Sequence, residues 1–591
     1  MDERSARRFR RVPLLAVGVL VAALLTPAGV AQAEPAAVSG PMYASGQPTV
    51  TAAAAFDTSK PVRELAPARR VTAAQTPKDE QGDEEDALEQ RLPEAVDHGF
   101  SGDGAVQSTA GRPGTGGTRA NFEGLSNADN FALLGGRVNP PDPNGEVGRN
   151  HYVETVNLAF AVYSKTGTLL AGPATLGSLW AAFPVTECAD QSGDPVVLYD
   201  QMADRWIITQ FTTKGINFPK EPLNPFYNCI AISTTGDPTG SYYRYAFTTG
   251  FNFPDYPKYG VWRDTYVITT REFGIADPSI YGIGVYGLER AKMIAGDPNA
   301  RAVSFLLDSN RIPINLIGDG LLPADIDGTK LPRANAPIPL VGTQDDGGPY
   351  GATSDALNIW EFSVNWKVGP AASIGLKAQL PVAPFDSVFP CAPTARDCLP
   401  QPGITNSGQF LDILSYRQRA TFRLAYRKFG DDYESMVTNQ SVEAAPGVAG
   451  VRWYEIRRTE NGRYKVHQQG TFAPGDGVHR WMGSIAMDRK GNAALGYSVV
   501  NGTDVFPGIR YTGRLAEDRR GQMTLGENTI VNGTGVQTTL NSRWGDYTDM
   551  TVDPTDDCTF WYVNEYYTAA GQASAANGWQ TRIASFKLPH C

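Results

Sequence analysis

The chain has 591 residues, a net charge of −10 and five His. This length is ample for a large hydrophobic core. The excess of acidic residues argues against nucleic acid and against an anionic membrane surface as partners. The His residues are scattered and no Cys-x-x-Cys occurs, so the sequence does not favour a zinc site.

The first 33 residues predict a signal peptide. Five Arg lie within the first 11 residues, the apolar stretch "VPLLAVGVLVAALL" follows, and "AQA" supplies the small residues of a cleavage site. No later stretch is long and apolar enough to span a bilayer. We therefore expect a secreted, extracellular and monomeric protein without a membrane span.

Six Cys in an exported chain predict three disulfides. Sequence alone leaves the pairing open, and we favour neighbours along the chain. Cys391 and Cys398 would enclose a short loop, and Cys188 and Cys229 flank one predicted sheet unit. Cys558 and Cys591 would tie the C-terminus to an acidic stretch near residue 550.

Residues 34–118 predict a disordered linker or pro-segment. They are rich in Ala, Pro, Gly, Thr and charged residues and almost lack aromatic residues before Phe100, so they cannot bury enough apolar surface to fold. Beyond them the sequence changes to short alternating apolar runs broken by Gly, Pro, Asn and Asp. We therefore expect one all-β domain over residues 119–591.

A degenerate strand–turn–strand pattern recurs through this domain. In "VVLYDQMADRWIITQF" an apolar strand ends at Asp200, a short turn follows, and a second apolar strand begins at Arg205. Such copies return at intervals of roughly 50–90 residues, which is typical of four-stranded propeller blades. The anchor residues of the copies are Asn150, Asp200, Asp264, Asp355, Arg417, Asp488 and Asp553.

These copies fill the domain and predict a seven-bladed β-propeller. A closed ring of blades also removes the exposed sheet edges that invite aggregation. Six or eight blades stay open because the region 265–410 is irregular. A pair of packed β-sandwiches is the alternative fold.

The acidic stretch "RWGDYTDMTVDPTDDCTFWYVNEYY" (543–567) contains one of the copies. Asp553 has the same hairpin position as Asp200 and Asp488. A carboxylate at that position can accept hydrogen bonds from the amides of its own turn. Because a single active site would not need the same residue in several blades, we interpret these Asp residues as turn structure.

The candidate site lies in the segments that enter the first strand of each unit, since these meet around the axis of a propeller. Candidate catalytic residues are Asp194, Asp255, Asp546 and His479, and Asp142 is a further acid. Candidate substrate-binding residues are Arg480, Arg543, Tyr256, Trp481 and Trp544. Convergent carboxylates, cations and aromatic rings are typical of a pocket for a polar ligand, particularly a sugar.

Two classes of function fit these candidate residues, which we expect to form one rim around the propeller axis. A secreted enzyme that acts on extracellular polysaccharide would use two carboxylates as a glycoside hydrolase, or a base beside an Arg as a polysaccharide lyase. A non-catalytic propeller at the cell surface would use the same rim to bind a glycan or a protein. We favour the enzyme because the rim combines acids, a base and cations. Each residue could instead close a turn, and the shared-rim hypothesis fails if Asp194, Asp255 and Asp546 lie far apart.

A calcium ion is the candidate cofactor. "DPNGEVG" offers Asp142, Asn144 and Glu146 at alternate positions, like the start of a calcium loop. The later acidic ligands and the closing Glu of the full loop are missing, and no other cofactor is indicated.

Several segments together resemble a family of exported, largely uncharacterised bacterial proteins that are thought to form β-propellers. They are "PPDPNGEVGRNHYVETVN", "GDPVVLYDQMADRW", "CIAISTTGDPTGSYYRY", "DYPKYGVW", "HRWMGSIAMDRKGNAALGYS" and the stretch 543–567 quoted above. The resemblance covers residues 120–591 and implies the fold and export, without an established activity.

A more distant likeness is to sialidase-type propellers, whose hairpins carry Ser-x-Asp-x-Gly-x-x-Trp boxes. The chain holds no strict copy of this box, and Asp200, Asp488 and Asp553 match only its Asp position. The Arg triad and the Tyr nucleophile of sialidases cannot be assigned to residues here. Sialidase activity is therefore not implied.

Overall fold

The computed structural model describes residues 46–65, 88, 90–112, 114, 116–367, 369–413, 418–430, 433–539, 541–574 and 576–591. Over these residues nearly all regular structure is β, which confirms the predicted class. The predicted signal peptide lies outside the described residues.

Four strands come from the N-terminal part of the chain. They are β1 (Thr49–Ala52), β2 (Ala55–Thr58), β3 (Val106–Gln107) and β4 (Ala120–Ser126).

The strands that follow form antiparallel units in chain order. Unit 1 contains β5 (Asn144–Val147), β6 (His151–Val156), β7 (Ala159–Ser164) and β8 (Leu169–Thr175). Unit 2 contains β9 (Val197–Asp200), β10 (Arg205–Phe211), β11 (Phe226–Ser233) and β12 (Tyr242–Gly250). Unit 3 contains β13 (Asn252–Val261), β14 (Thr265–Gly274), β15 (Tyr281–Glu289) and β16 (Arg301–Asp308).

The second half of the chain continues the series. Unit 4 contains β17 (Leu322–Asp327), β18 (Ile338–Gln344), β19 (Ala356–Asn365) and β20 (Ala371–Pro381). Unit 5 contains β21 (Thr421–Phe429), β22 (Tyr433–Ala445), β23 (Val448–Thr459) and β24 (Tyr464–Phe472). Unit 6 contains β25 (His479–Met487), β26 (Ala493–Val500), β27 (Gly508–Arg514) and β28 (Leu525–Val531). Unit 7 contains β29 (Asp549–Val552), β30 (Thr559–Tyr566) and β31 (Gln580–Lys587).

The first strands of the units form a closed ring. Each contacts the first strand of the next unit, and β29 of unit 7 contacts β5 of unit 1. Units 4 and 5 are joined directly, because β17 pairs in parallel with β21, with Ala324 opposite Leu424. The N-terminal ends of the first strands therefore meet around one axis.

Unit 7 is completed by a strand from the other end of the domain. β4 pairs antiparallel with β31, with Phe122 opposite Ile583. Units 1 to 6 each draw four strands from one continuous stretch of chain, whereas unit 7 needs both ends of the domain.

Three further N-terminal strands extend existing units. β1 pairs with β16, β2 pairs with β12, and β3 pairs in parallel with β24. The stretch 49–58 thus crosses from the outer edge of unit 3 to that of unit 2. The prediction of a disordered linker over residues 34–118 does not hold for these strands. Their partners lie far along the chain, so composition alone could not reveal them.

The hydrophobic core is divided into layers between neighbouring units. One buried cluster joins Val285, Leu340 and Leu424 of units 3, 4 and 5. Another joins Leu495 of unit 6 and Phe560 of unit 7 with unit 5. Alternating side chains on both faces of each sheet supply these layers.

Helices are few and short among the described residues. The α-helices are α1 (Asn127–Leu134), α2 (Arg290–Ala295) and α3 (Ala569–Ala573), and the 3₁₀-helices span Val62–Glu64, Leu176–Trp180, Thr186–Ala189, Ile314–Leu316 and Ser407–Gln409. Ser126 caps α1 by accepting the Asp129 N–H in a capping box. Within the described ranges, none of the helices has the length and apolarity to cross a bilayer.

The predicted disulfides are confirmed. Cys188 is bonded to Cys229, Cys391 to Cys398 and Cys558 to Cys591.

The interpretation of the aligned turn carboxylates is confirmed for Asp200, Asp488 and Asp553. Asp264, the fourth Asp at this position, instead accepts the Thr265 hydroxyl at 3.0 Å and no backbone N–H of the described residues. Asp200 accepts the N–H groups of Met202 and Ala203, both at 3.1 Å, and Asp488 accepts those of Lys490 and Asn492. In the acidic stretch 543–567, Asp553 accepts the Thr555 N–H at 2.9 Å. These carboxylates stabilise the hairpin between the first two strands of their units.

Two predicted hairpins are placed differently. Asp355 lies between the second and third strands of unit 4, not between the first two. The segment "ILSYRQRATFRLAYRKF" contains no hairpin in its described part, because residues 421–429 form the single strand β21. Arg417 itself lies outside the described residues. The predicted anchors therefore do not mark the first hairpins of units 4 and 5, where β17 ends at Asp327 and residues 431–432 after β21 lie outside the described part of the chain.

Candidate functional site

Polar residues from several units meet where the first strands begin. Asp142 precedes β5, Asp194 precedes β9, Arg419 precedes β21 and Asp546 precedes β29. Together with Tyr256 and Lys258 of β13 and with Tyr547, these residues are called the axial cluster. All its members are at least nine-tenths buried. The structure thus brings together Asp142, Asp194, Tyr256 and Asp546 from separate predicted segments.

The backbone at this point is strained in the same way in different units. Asp142, Asp194 and Tyr256 have φ values of 44°, 43° and 52°, a region that non-glycine residues rarely adopt. Each is followed by a Pro, and in unit 3 a β-bulge between Asp255 and Lys258 shifts the strand register. Bulges and strained residues redirect side chains and occur often at functional sites.

Hydrogen bonds join the carboxylates across units 1, 2 and 7. Asn157 donates from Nδ2 to Asp142 at 2.7 Å and accepts the Asp194 N–H at 3.0 Å. The Asp546 N–H donates to Asp142 at 3.4 Å, and the Tyr547 hydroxyl donates to Asp194 at 2.7 Å. The Asp142 and Asp194 carboxylates therefore share one buried network, which Asp546 joins through its backbone N–H.

Burial and mutual repulsion disfavour the ionised forms of Asp142 and Asp194. Burial, with the charges of Asp546 and Asp194, holds the pKa of Asp142 well above its usual range. Burial also raises the pKa of Asp194, although the Tyr547 hydrogen bond opposes this. Neighbouring carboxylates that cannot all ionise can divide the roles of proton donor and acceptor.

Lys258 lies between two tyrosine rings. Its Nζ is 3.3 Å from the centre of the Tyr256 ring and 3.1 Å from that of Tyr547, and it makes no hydrogen bond with the described residues. The Arg419 guanidinium lies 3.9 Å from the Tyr256 ring. Burial lowers the pKa of Lys258 to about 7, against the attraction of Asp546 and Asp194. A lysine of this pKa can exchange a proton near neutral pH.

Asp255 belongs to an adjoining ion-pair group. Arg271 contacts Asp255 at 3.0 Å and Asp319 at 3.4 Å, and all three residues are buried. Asp319 precedes β17, so it is the unit 4 counterpart of Asp194. The charge of Asp194 contributes to the raised pKa of Asp255, whose first cause is burial. Asp255 is therefore near the axial cluster, but its carboxylate is held by an Arg.

Gly545, in the segment "RWGDY", allows the backbones of units 1 and 7 to lie close to each other. A Cβ on Gly545 would lie 2.5 Å from Pro143 Cδ and 3.0 Å from the Asp142 nitrogen. Only glycine fits such a close backbone approach. It places Asp546 beside Asp142.

Four predicted residues of units 6 and 7 have other surroundings. His479 accepts the Ala449 N–H at 3.2 Å, and burial lowers its pKa to about 4. Arg480 is paired with Asp476 and Glu527, both at 2.7 Å. Trp481 and Trp544 pack on each other at 5.4 Å in the core. These contacts account for the four residues structurally and include no member of the axial cluster.

Arg543 is the more exposed neighbour of the axial cluster. It lies just ahead of Asp546, is partly exposed, and its charge lowers the pKa of Asp142 against the dominant effect of burial. A cation at this position can attract an anionic group to the cluster.

A second charged group lies further along the first strands. The Arg423 guanidinium contacts Asp325 at 2.7 Å, Asp327 at 2.9 Å and Asp549 at 3.5 Å. Glu146 lies near this group, and Arg423 opposes the rise of its pKa, whose first cause is burial. One guanidinium thus links carboxylates of units 1, 4 and 7.

The residues of the predicted calcium loop have separate partners. Asp142 belongs to the axial cluster, and Glu146 lies near Arg423. Asn144 accepts the Val197 N–H at 2.8 Å and donates to the Tyr547 carbonyl at 3.1 Å. The carboxylates of Asp345, Asp346 and Asp355 could also meet around an ion, but they accept N–H groups of their own loop, such as that of Gly347 at 2.7 Å.

The sequence-based set omitted Lys258, Arg419, Asp319 and Tyr547. Lys258 and Tyr547 lie within segments that were already singled out, one or two residues beyond the predicted residues. Asp319 precedes a first strand as Asp194 does, but it falls in the irregular region. Arg419 was hidden because its segment was interpreted as a hairpin.

Comparisons with known proteins give only distant matches. No protein-family model matches the chain, and no curated protein matches it. Among solved structures, an α-L-arabinofuranosidase of Fusarium graminearum in complex with arabinobiose is 11% identical, with 66% of this chain and 93% of that chain covered and a TM-score of 0.31.

Two other structures match at the same level. An α-L-arabinanase of Penicillium chrysogenum is 10% identical over 65% of this chain and 90% of that chain, with a TM-score of 0.30. The N-terminal domain of Nup159 is 8% identical over 83% of this chain and 99% of that chain, with a TM-score of 0.31. TM-scores this low assign neither a family nor a function to the chain.

Proposed function

We propose that the chain is a secreted, seven-bladed β-propeller that acts on an extracellular polysaccharide through the axial cluster. The closed ring of first strands supports the blade count, with each unit as one blade and β4 completing the last. The three disulfides support an oxidising compartment. The convergence of Asp142, Asp194 and Asp546 in one network carries the functional proposal.

Glycoside hydrolysis is the reaction that this network supports best. A carboxyl group that stays protonated can donate its proton to the glycosidic oxygen as the bond breaks. A second carboxylate can then activate water or attack the sugar carbon. The raised pKa of Asp142 suits the donor, and Asp194, oriented by Tyr547, suits the second role.

Polysaccharide lysis is the second candidate, and Lys258 is the observation that favours it. A lyase removes a proton next to a uronate carboxylate, which a cation neutralises. Lys258, with a pKa of about 7, suits the base, and Arg419 and Arg543 suit the neutralising role. A propeller that only binds glycan is the non-catalytic alternative, in which the same strained residues position a recognition surface.

The test is product analysis with conservative variants. Protein lacking residues 1–33 is incubated with plant, fungal and bacterial polysaccharides, and released fragments are identified by mass spectrometry. We expect Asp142→Asn and Asp194→Asn to lower the rate about 10²–10⁴-fold, the usual contribution of a general acid or base. Hydrolase products contain an added water, whereas lyase products contain an unsaturated uronate.

Asp488→Asn is the matched control. Asp488 is equally buried, but it accepts hydrogen bonds within its own turn, which Asn can also accept. Equal losses in all three folded variants would contradict the proposal. Retention on an insoluble glycan without any product would favour the binding alternative. The calcium prediction for Asp142, Asn144 and Glu146 is tested in the same assay by adding a chelator, which should lower the rate.

A further inference from the structure

A large cavity lies between units 2 and 3 and has no lining residue in common with the axial cluster. Its volume is about 830 Å³, within the range of small-molecule sites. Its walls come from the end of β12, the β12–β13 connection, strands β14 to β16, and β1 with the residues before it. The N-terminal strand thus forms part of a cavity.

Glycines on β15 create the space. Gly282 and Gly284 are two residues apart, so they lie on the same face of the sheet. A Cβ on Gly284 would lie 2.1 Å from a carboxylate oxygen of Glu272. The missing side chain therefore accommodates the Glu272 carboxyl group at the cavity.

Glu272 contributes a buried carboxyl group that is only partly ionised near neutral pH. Its exposed fraction is 3%, and it accepts hydrogen bonds from the Tyr286 hydroxyl and from Asn252 Nδ2, the latter at 2.9 Å. Burial raises its pKa to about 7. Arg271, the preceding residue, points to the opposite face and pairs with Asp255, so the cavity and the axial cluster lie on different faces of the unit 3 sheet.

Hydroxyl groups line the wall next to this carboxyl group. Thr49, Ser304 and Tyr286 lie opposite one another on β1, β16 and β15 and form one row across the sheet. Thr51, Thr248 and Thr249 add further hydroxyls. The remaining charges, Asp308 and Arg311, form a pair at 3.8 Å. The cavity is therefore rich in hydrogen-bonding groups and poor in net charge.

An exposed aromatic ring lies beside the cavity. Phe251 is 48% exposed and lies between Gly250 and Asn252, which both line the wall. Exposed aromatic rings provide apolar faces for ligand rings, while the neighbouring polar groups bind hydroxyls.

We propose that this cavity binds the end of a neutral saccharide chain, separately from the axial cluster. The row of hydroxyls, the Glu272 carboxyl group and Asn252 would exchange hydrogen bonds with sugar hydroxyls, and Phe251 would pack against a sugar ring at the entrance. Among the described lining residues the only cation, Arg311, is paired with Asp308, and Glu272 is an acid, which argues against a phosphate as the ligand. This inference does not rest on the proposed catalysis.

The test is a binding titration of the full secreted chain with short neutral oligosaccharides of glucose, xylose, mannose, galactose and arabinose. At least one of them should bind. Phe251→Ala should weaken that binding about tenfold, the effect of losing one aromatic contact. Phe218→Ala is the matched control, because Phe218 is 43% exposed but neither of its chain neighbours lines the cavity, and it should bind as the wild type does.

A second pair of variants tests whether the row of hydroxyl groups in the cavity wall contributes to binding. Thr49→Val removes one hydroxyl of the row and should weaken binding, whereas Thr58→Val on β2 should not. Asp194→Asn should bind normally whether or not it abolishes catalysis, so failure of the two proposals can be told apart. The cavity proposal is overturned if no neutral oligosaccharide binds, or if Phe251→Ala binds as tightly as Phe218→Ala.

Discussion

At the scale of single residues, Glu154 shows how a buried acid can serve as a neutral hydrogen-bond donor. It accepts the Leu125 N–H at 2.7 Å and contacts the Thr581 hydroxyl at 2.5 Å. That hydroxyl also donates to the Leu125 carbonyl at 2.7 Å, so its only proton is used. A protonated Glu154 satisfies every contact by donating to Thr581. Burial accordingly raises the pKa of Glu154 to about 8.

Glu154→Gln should stabilise the chain progressively as the pH rises. The folded pKa of about 8 is above the ordinary value of 4.5, so the stabilising effect of the acid is full below pH 4.5 and is lost as the pH rises through 8. Gln can make the same contacts without ionising. We expect a gain that grows from about 1 kcal/mol at pH 5 to about 4 kcal/mol at pH 8. Urea unfolding at each pH measures it.

The exposed Glu94 offers a control for this series. Because Glu94 is exposed, Glu94→Gln should change stability by less than about 0.5 kcal/mol. A pH-independent effect of Glu154→Gln would show that Glu154 is ionised in the folded chain throughout this range.

At the scale of elements, the N-terminal strands are structural components of the domain. Asp57 of β2 pairs with the buried Arg244 of β12 through two contacts, at 2.6 and 2.5 Å. β1 covers the edge of unit 3 and forms part of the cavity between units 2 and 3. An edge strand that is covered in this way is protected from pairing with other molecules.

Deletion of residues 34–60 should therefore destabilise the folded domain without preventing folding. It removes β1 and β2 and leaves Arg244 without its carboxylate, which costs roughly 2 kcal/mol or more. Asp57→Asn is the matched variant, because it weakens the ion pair with Arg244 but keeps both strands, and it should lose less stability than the deletion. Thermal unfolding of the two variants measures this, and equal midpoints would mean that the strands contribute nothing beyond the ion pair.

Strands whose pattern is local could be predicted, and those whose partners are distant could not. The hairpins at Asp200, Asp488 and Asp553 follow from an apolar alternation broken by an Asp turn, which depends on neighbouring residues only. The assignments of β1 and β4 depend on strands hundreds of residues away. β21 was misjudged because a long strand with internal Arg residues has the alternation of a hairpin.

The candidate site likewise contains residues that the sequence predicted and residues that it could not predict. Asp142, Asp194 and Asp546 were predicted because each precedes a recognisable first strand. Lys258 and Arg419 became evident only when the bulge in β13 and the position of β21 were known. Arg480 shows the converse, since a well-placed cation is fully used by Asp476 and Glu527.

At the scale of the whole molecule, the ring depends on how its ends are held. β31 pairs with β4, and the Cys558–Cys591 disulfide fixes the chain just beyond β31 to the turn before β30. This disulfide encloses 33 residues, whereas Cys391–Cys398 encloses seven. Loop entropy makes the longer link the more stabilising one.

Removal of the Cys558–Cys591 disulfide should cost more stability than removal of the Cys391–Cys398 disulfide. Replacing Cys558 and Cys591 by Ser should cost about 4 kcal/mol, and replacing Cys391 and Cys398 about 2.5 kcal/mol. Guanidinium unfolding of both variants under the same conditions measures the difference. A larger loss in the Cys391–Cys398 variant would show that local strain, and not ring closure, determines the contribution.

The pairing of β4 with β31 also sets the order of events during synthesis. Ala120 contacts Ser585, which is 465 residues further along the chain. The ribosome therefore releases β4 long before its partner β31. Until β31 is made, β4 and the open side of β30 expose unpaired edges, which are templates for aggregation. A chain that stops before β31 keeps both edges exposed. Synthesis of this one strand thus protects two edges at once.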